Sequence, residues 1–277
     1  MALGAAAPSR AGDWHVYQKL RCSDCHTMHN KQELRYDGGL QPVPHLLRSA
    51  TATQLCLACH DGSNPSAPGV IGPTLGDPPG GGFPADLTDP LGQAHRVDGA
   101  SVTPPDGQNP ITMSCTTCHD PHGSRSYRNL RDNPSRQPRP PTAPVLATQL
   151  QVADGANAAQ VYTAANVTDV SGMSSWCLDC HDQYETKNTH AHSVDRPISG
   201  GTTTSYGWWV AGAFLNRARV QTPGRLPGDT RPAVPSAGNQ VFCLTCHKAH
   251  GSTIKGSILD LGVATDPASL CNQCHNQ

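Results

Sequence analysis

CTTCHDPHGS at residues 115–124 and CLTCHKAHGS at 243–252 are nearly the same ten residues. In each, two cysteines stand three apart and a histidine follows the second. A further histidine comes three positions later, giving His119 and His122 in the first stretch and His247 and His250 in the second. The CxxCH core recurs through the whole chain. All 12 cysteines fall into six such pairs, Cys22/Cys25, Cys56/Cys59, Cys115/Cys118, Cys177/Cys180, Cys243/Cys246 and Cys271/Cys274. Their following histidines are His26, His60, His119, His181, His247 and His275.

With histidine at about one residue in twenty, six coincidences have a chance on the order of 10⁻⁸, so the pattern reads as c-type haem attachment. Zinc sites use CxxC without requiring histidine at the next position each time. A disulfide framework has no reason to space its cysteines three apart six times. A redox CxxC occurs once, beside a strand and a helix. In haem attachment, two thioethers clamp the porphyrin edge and the adjacent histidine reaches the iron. Six covalent c-type haems are therefore expected.

The composition agrees. Of 277 residues, 27 are Gly and 25 Pro, aromatics make up 5%, and 36% are hydrophobic. So few apolar side chains offset the entropy of ordering poorly, and bound cofactors are one remedy. The formal charge of −1 turns more negative once haem propionates are counted, which argues against a nucleic-acid partner. Covalent haem attachment takes place outside the cytoplasm, so export is expected. MALGAAAPSRAGDWH at 1–15 lacks a basic and then apolar leader, and its small residues suggest a trimmed or nearly mature start. No stretch reaches transmembrane length.

Beneath unequal spacers lies a threefold repeat. AHRVD at 94–98 and AHSVD at 191–195 each precede a CxxCHxxHGS segment, which in turn precedes a plain CxxCH. The expected di-haem units are 14–61, 94–182 and 191–276. The first is shorter, with WHVYQ at 14–18 and RCSDCHTMHNK at 21–31. From leading histidine to first cysteine the gaps are 7, 20 and 51 positions, so the spacers read as adjustable packaging. Residues 61–93 and 132–144 are rich in turn formers. Short strands are expected near 145–152 and 159–168, with short helices at the CxxCH sites. YGWWVAGAFL at 206–215, the most apolar run, reads as a haem cover, with a subunit contact as the alternative.

Six irons with two histidines each need twelve imidazoles, and the chain has 14. Beyond the proximal six stand His15, His29, His45, His95, His122, His190, His192 and His250. A trailing histidine cannot wrap around the porphyrin held by its own motif, so it must serve another iron. Proximity along the chain assigns His29 to the Cys56/Cys59 site, His122 to Cys177/Cys180 and His250 to Cys271/Cys274. The leading histidines His15, His95 and His192 then serve the first site of their own units. His45 and His190 are left over, with His45 a possible distal ligand. Met28, Met113 and Met173 are weaker alternatives.

CxxCHxPHGS followed by LCxxCH resembles the doubled-CxxCH multihaem cytochromes c, which include extracellular members that polymerise into nanowires. That resemblance implies a mostly irregular, loop-rich fold with short helices around the haem sites and a few short strands. A haem stack then replaces a conventional hydrophobic core. It also implies an electron carrier, not an enzyme, built of bis-histidine haems and polymerising with itself at the cell surface or outside the cell. Other redox proteins or extracellular electron acceptors would be its further partners. A distal histidine donated across a subunit boundary would come from His15, with His45 completing the first site. A periplasmic shuttle and a membrane-associated complex component are the alternatives. A multihaem reductase fits less well, because such enzymes need an iron with a vacant face and no CxxCK occurs.

Overall fold

The computed structural model describes residues 15, 20–27, 35–36, 38, 44–72, 80–105, 110–124, 127–131, 134, 147–151, 158–163, 173–181, 196–197, 221–222 and 240–258. Loops dominate, and the longest helix among these residues has nine. The expected stretch 206–215 lies outside the described residues. None of the described helices is long and apolar enough to cross a membrane.

Helices are built in two ways at the CxxCH sites. At α1 (Cys22–Cys25), α3 (Cys115–Cys118) and α5 (Cys243–Cys246) the motif is a single turn. Its third residue closes that turn by accepting the N–H of the residue before the first cysteine. Asp24 Oδ2 takes Arg21 N–H at 2.7 Å, Thr117 Oγ1 takes Ser114 N–H at 3.0 Å, and Thr245 Oγ1 takes Phe242 N–H at 3.0 Å. One of the donors that a helix start leaves unpaired is thereby satisfied. The plain motifs instead end longer helices, α2 (Ala52–His60) and α4 (Met173–Leu178). Thr51 caps α2, its side chain accepting from Gln54 N–H at 3.1 Å.

The two expected strand regions form β3 (Ala147–Gln151) and β4 (Ala158–Thr163), paired antiparallel from Ala147↔Tyr162 to Gln151↔Ala158. They belong to a five-stranded sheet with β5 (Arg196–Pro197), β6 (Gln221–Thr222) and β7 (Gln240–Val241), in the order β3-β4-β6-β7-β5. Strand β7 runs straight into Phe242 and α5, so the sheet fixes where that site begins. A separate pair, β1 (Ser101–Val102) and β2 (Ile111–Thr112), leads into α3.

Among the described residues the apolar core is small. Leu130, Met173, Phe242 and Leu244 form one cluster, with Trp176, Cys177 and Ala249 packed on it. It joins α4 to α5 and to the segment after α3, and Trp176 Nε1 donates to Arg131 O at 2.6 Å. Met173 is thus a core residue at the start of α4. A second buried point is Thr53, whose Oγ1 donates to Val97 O at 2.9 Å, tying α2 to the AHRVD segment.

Candidate haem sites

After each single-turn site the chain returns in the same way. A short turn at 44–46, 127–129 or 255–257 carries two consecutive residues with positive φ: His45 and Leu46, Arg128 and Asn129, Gly256 and Ser257. The first of each pair turns its carbonyl onto the motif histidine. His26 Nδ1 lies 2.9 Å from His45 O, His119 Nδ1 2.8 Å from Arg128 O, and His247 Nδ1 2.8 Å from Gly256 O. At the plain site of α2, His60 Nδ1 meets Pro68 O at 2.9 Å. A carbonyl can only accept, so each Nδ1 carries the proton and each Nε2 keeps its lone pair for a metal. His45 therefore stands where Arg128 and Gly256 stand, and its backbone serves the first site. Sequence reasoning missed these carbonyls. Their signal was the fixed nine-residue step from His119 to Arg128 and from His247 to Gly256, hidden in the first site by a step of 19.

Among the described residues, imidazoles face one another in four pairs. Ring centres are 6.2 Å apart for His26–His122, 6.0 Å for His15–His60, 6.2 Å for His119–His250 and 6.0 Å for His95–His181. Two imidazoles sharing one iron from opposite faces, with metal–nitrogen bonds of about 2 Å, place their ring centres about 6 Å apart. The residues present therefore fit bis-histidine haem. The pairs differ from those expected from proximity along the chain. His122 faces His26 instead of His181, His250 faces His119 instead of His275, His95 faces His181 instead of His119, and His15 faces His60 instead of His26. His15 thus faces an imidazole of its own chain.

For His95 and His250 the reason is a seam that spacing along the chain does not reveal. Segment 80–95 lies against the turn at 248–257. His250 N–H donates to Gly80 O at 2.7 Å, Gly82 N–H to Gly251 O at 3.1 Å, Ser252 N–H to Gln93 O at 3.0 Å and Gly256 N–H to Gly92 O at 2.6 Å. Gln93 Nε2 reaches Thr253 O at 2.6 Å, and His95 Nδ1 bonds Ala249 O at 2.7 Å. The glycine-rich stretch expected to be adjustable packaging is thus the surface on which the HGS turn sits. Gly251 has φ +145, and a Cβ there would meet Ala94 Cβ at 2.6 Å, so the turn can carry only glycine. His15 repeats the arrangement one step earlier, approached by the backbone of Pro121, which occupies the position of Ala249.

These sites favour neutral, ligand-competent imidazoles. Burial pushes His15 and His119 below the usual histidine range, and burial with the neighbouring His119 pushes His250 down to about 3.

The cysteines of successive motifs also meet. The Cys56 and Cys115 thiols hydrogen-bond one another, as do Cys177 and Cys243. Cys25 lies within electrostatic reach of Cys59, and Cys118 of Cys180. The first five sites therefore follow one another in sequence order. Cys271, Cys274, His275, His29, His190 and His192 lie outside the described residues.

Comparison with known proteins gives concordant results. Residues 109–137 and 234–277 match the doubled CXXCH motif family. The C-type cytochrome OmcS of Geobacter sulfurreducens is 24% identical, over 91% of this chain and 81% of that protein. The outer membrane cytochrome S filament of Geobacter sulfurreducens superposes with a TM-score of 0.59, and the OmcS nanowires solved by cryo-electron microscopy with 0.53. Both are 20% identical, covering 86% of this chain and 83% of theirs. With CxxCH haem-attachment motifs along its length, two of its segments matching the doubled CXXCH family, and a loop-rich fold like that of those filament chains, the protein resembles the C-type cytochrome OmcS.

Proposed function

We propose that the chain is a hexahaem electron conduit and the repeating subunit of an extracellular filament. The observation that carries this reading is the pairing of imidazoles at 6.0–6.2 Å, repeated along a line of touching cysteines. Haem iron supplies one-electron exchange between ferric and ferrous states. The protein's residues hold the irons, close both axial faces against substrate, and keep neighbouring sites in contact.

Polymerisation follows from the way the pairs shift along the repeat. His122, trailing in the second unit, faces the first site of the unit before it, and His250 in the third unit faces the first site of the second. Leading histidines face the second site of their own unit, as His15 and His95 do. Applied to the third unit, this rule gives its second site a histidine of that unit, His192 in the leading slot. His247 is left over, and among the described residues no imidazole faces it. A fourth unit would supply that ligand, and the equivalent trailing residue of the chain is His29. The joint between units two and three is then reused between subunits, with His29 of one copy opposite His247 of the next. Head-to-tail use of one joint gives an open filament.

Electron microscopy of the isolated holoprotein and of His29→Ala tests the proposal. Regular threads are expected for the first, and discrete particles for the variant with one iron per chain lacking a ligand. Threads from His29→Ala with all irons low-spin would overturn the joint. Discrete particles from the unaltered protein would overturn the filament.

A further inference from the structure

His250 differs from five other imidazoles of the array. His26, His60, His119, His247 and His95 all direct Nδ1 at a backbone carbonyl, at 2.7–2.9 Å. Nδ1 of His250 is buried and has no hydrogen-bond partner. The backbone of Gly81 approaches this ring and favours its proton without bonding Nδ1. Phe83 stacks on one side of the ring with centres 4.7 Å apart, and Gly80 closes in so tightly that a Cβ there would lie 3.2 Å from Nδ1. Phe83 and Gly80 thus enclose the unbonded nitrogen.

A carbonyl that accepts from Nδ1–H makes the imidazole a stronger donor and so steadies ferric iron. Withholding that bond favours ferrous iron. Burial acts in the same direction, because the ferric state carries the additional positive charge. A third influence comes from the turn position that orients each single-turn histidine. It is His45 in the first site, Arg128 in this one and Gly256 in the third. Only here does that position carry a permanent cation, and its field reaches both His119 and His250.

We propose that His250, enclosed by Phe83 and Gly80 with Nδ1 unbonded, sets the highest reduction potential among the described sites at the one it shares with His119. That site is then the first of them to accept an electron. The inference rests on the bis-histidine reading above. The step is the transfer of one electron from an external reductant, dithionite in the test, to one ferric iron, with no bond made or broken.

The test is a reductive titration of the holoprotein followed by electron paramagnetic resonance. Near-parallel imidazoles, as in His26–His122 at 11°, give a rhombic low-spin signal. Crossed ones, as in His119–His250 at 61° and His95–His181 at 69°, give a strongly anisotropic signal. A strongly anisotropic signal is expected to disappear first. Arg128→Gly should lower that first midpoint while Arg128→Lys leaves it in place, and Phe83→Ser, which admits water to Nδ1, should lower it as well. The inference is overturned if the rhombic signal disappears first, or if Arg128→Gly leaves the first midpoint unmoved. The native titration decides even if Phe83→Ser does not assemble. High-spin iron throughout would mean that the bis-histidine reading itself had failed, a result distinct from a wrong order among low-spin signals.

Discussion

Replacing Gly81 with alanine should detach one ligand from one iron and leave the rest of the array intact. Gly81 has φ +79, and a Cβ there would lie only 1.9 Å from Gly251 O and 2.8 Å from Lys248 Cβ. The left-handed backbone costs an L residue about 1–2 kcal/mol. Forcing a methyl into a closed contact adds about 1–3 kcal/mol. The obstructing atom is backbone, so no rotamer change relieves it. Opening the seam locally instead gives up Gly82 N–H to Gly251 O and His250 N–H to Gly80 O, about 1 kcal/mol each. Release is the less costly response, and His250 leaves with the strand because its own N–H is one of the two bonds. Gly38→Ala is the control, with φ +67 and open space around the new methyl; it should lose about 1 kcal/mol and no ligand. The assay is carbon monoxide binding to the reduced holoprotein, with the fraction of high-spin iron read from the visible spectrum. Gly81→Ala should bind about one carbon monoxide per chain, and Gly38→Ala none. Full six-coordination in Gly81→Ala would show that the seam does not hold His250 in place.

Other consequences are open to direct measurement. His122→Ala should abolish the rhombic signal of the His26 site and leave the iron of its own motif low-spin; persistence of that signal would refute the pairing. Thr53→Val keeps the shape but leaves Val97 O, buried with it, without a donor. It should cost about 1–3 kcal/mol in urea unfolding. Phe242→Ala, at 1% exposure in the centre of the small core, should cost about 3–5 kcal/mol and loosen α5 against α4. The Arg96 guanidinium holds the Asp98 carboxyl at about 2, below its ordinary 3.8. A depressed carboxylate contributes stability above its unfolded pKa and loses it as pH falls through the folded one. Thermal unfolding should therefore decline more steeply between about pH 4 and pH 2 in the unaltered protein than in Asp98→Asn, by a small margin because the pair is exposed.

Part of the fold could be read directly from residues. CSDC, CTTC and CLTC put a carboxylate or hydroxyl where a one-turn helix needs an acceptor, so their helices are local products. The pair β3 and β4 follows its own alternation. The glycine-rich stretch 80–82 was misread because composition reports only freedom to turn. The structure uses that freedom for close backbone approach to Gly251, which depends on a segment about 170 residues away. The facing of the imidazole rings differs from the expected pairing for a related reason. A trailing histidine was assigned forward to the nearest following motif, whereas the seam carries it back to the preceding unit.

The sequence by itself determined the chemistry, because haem attachment needs only cysteines, a spacing and an adjacent histidine, all within five residues of chain. It also determined the threefold repeat and the supply of imidazoles. Which imidazole faces which was decided by tertiary structure alone. Each pair joins residues 45 to 131 positions apart, and for His95 and His250 it is the hydrogen-bonded seam between 80–95 and 248–257 that fixes the rings where they stand, at the 6 Å spacing that a shared iron requires.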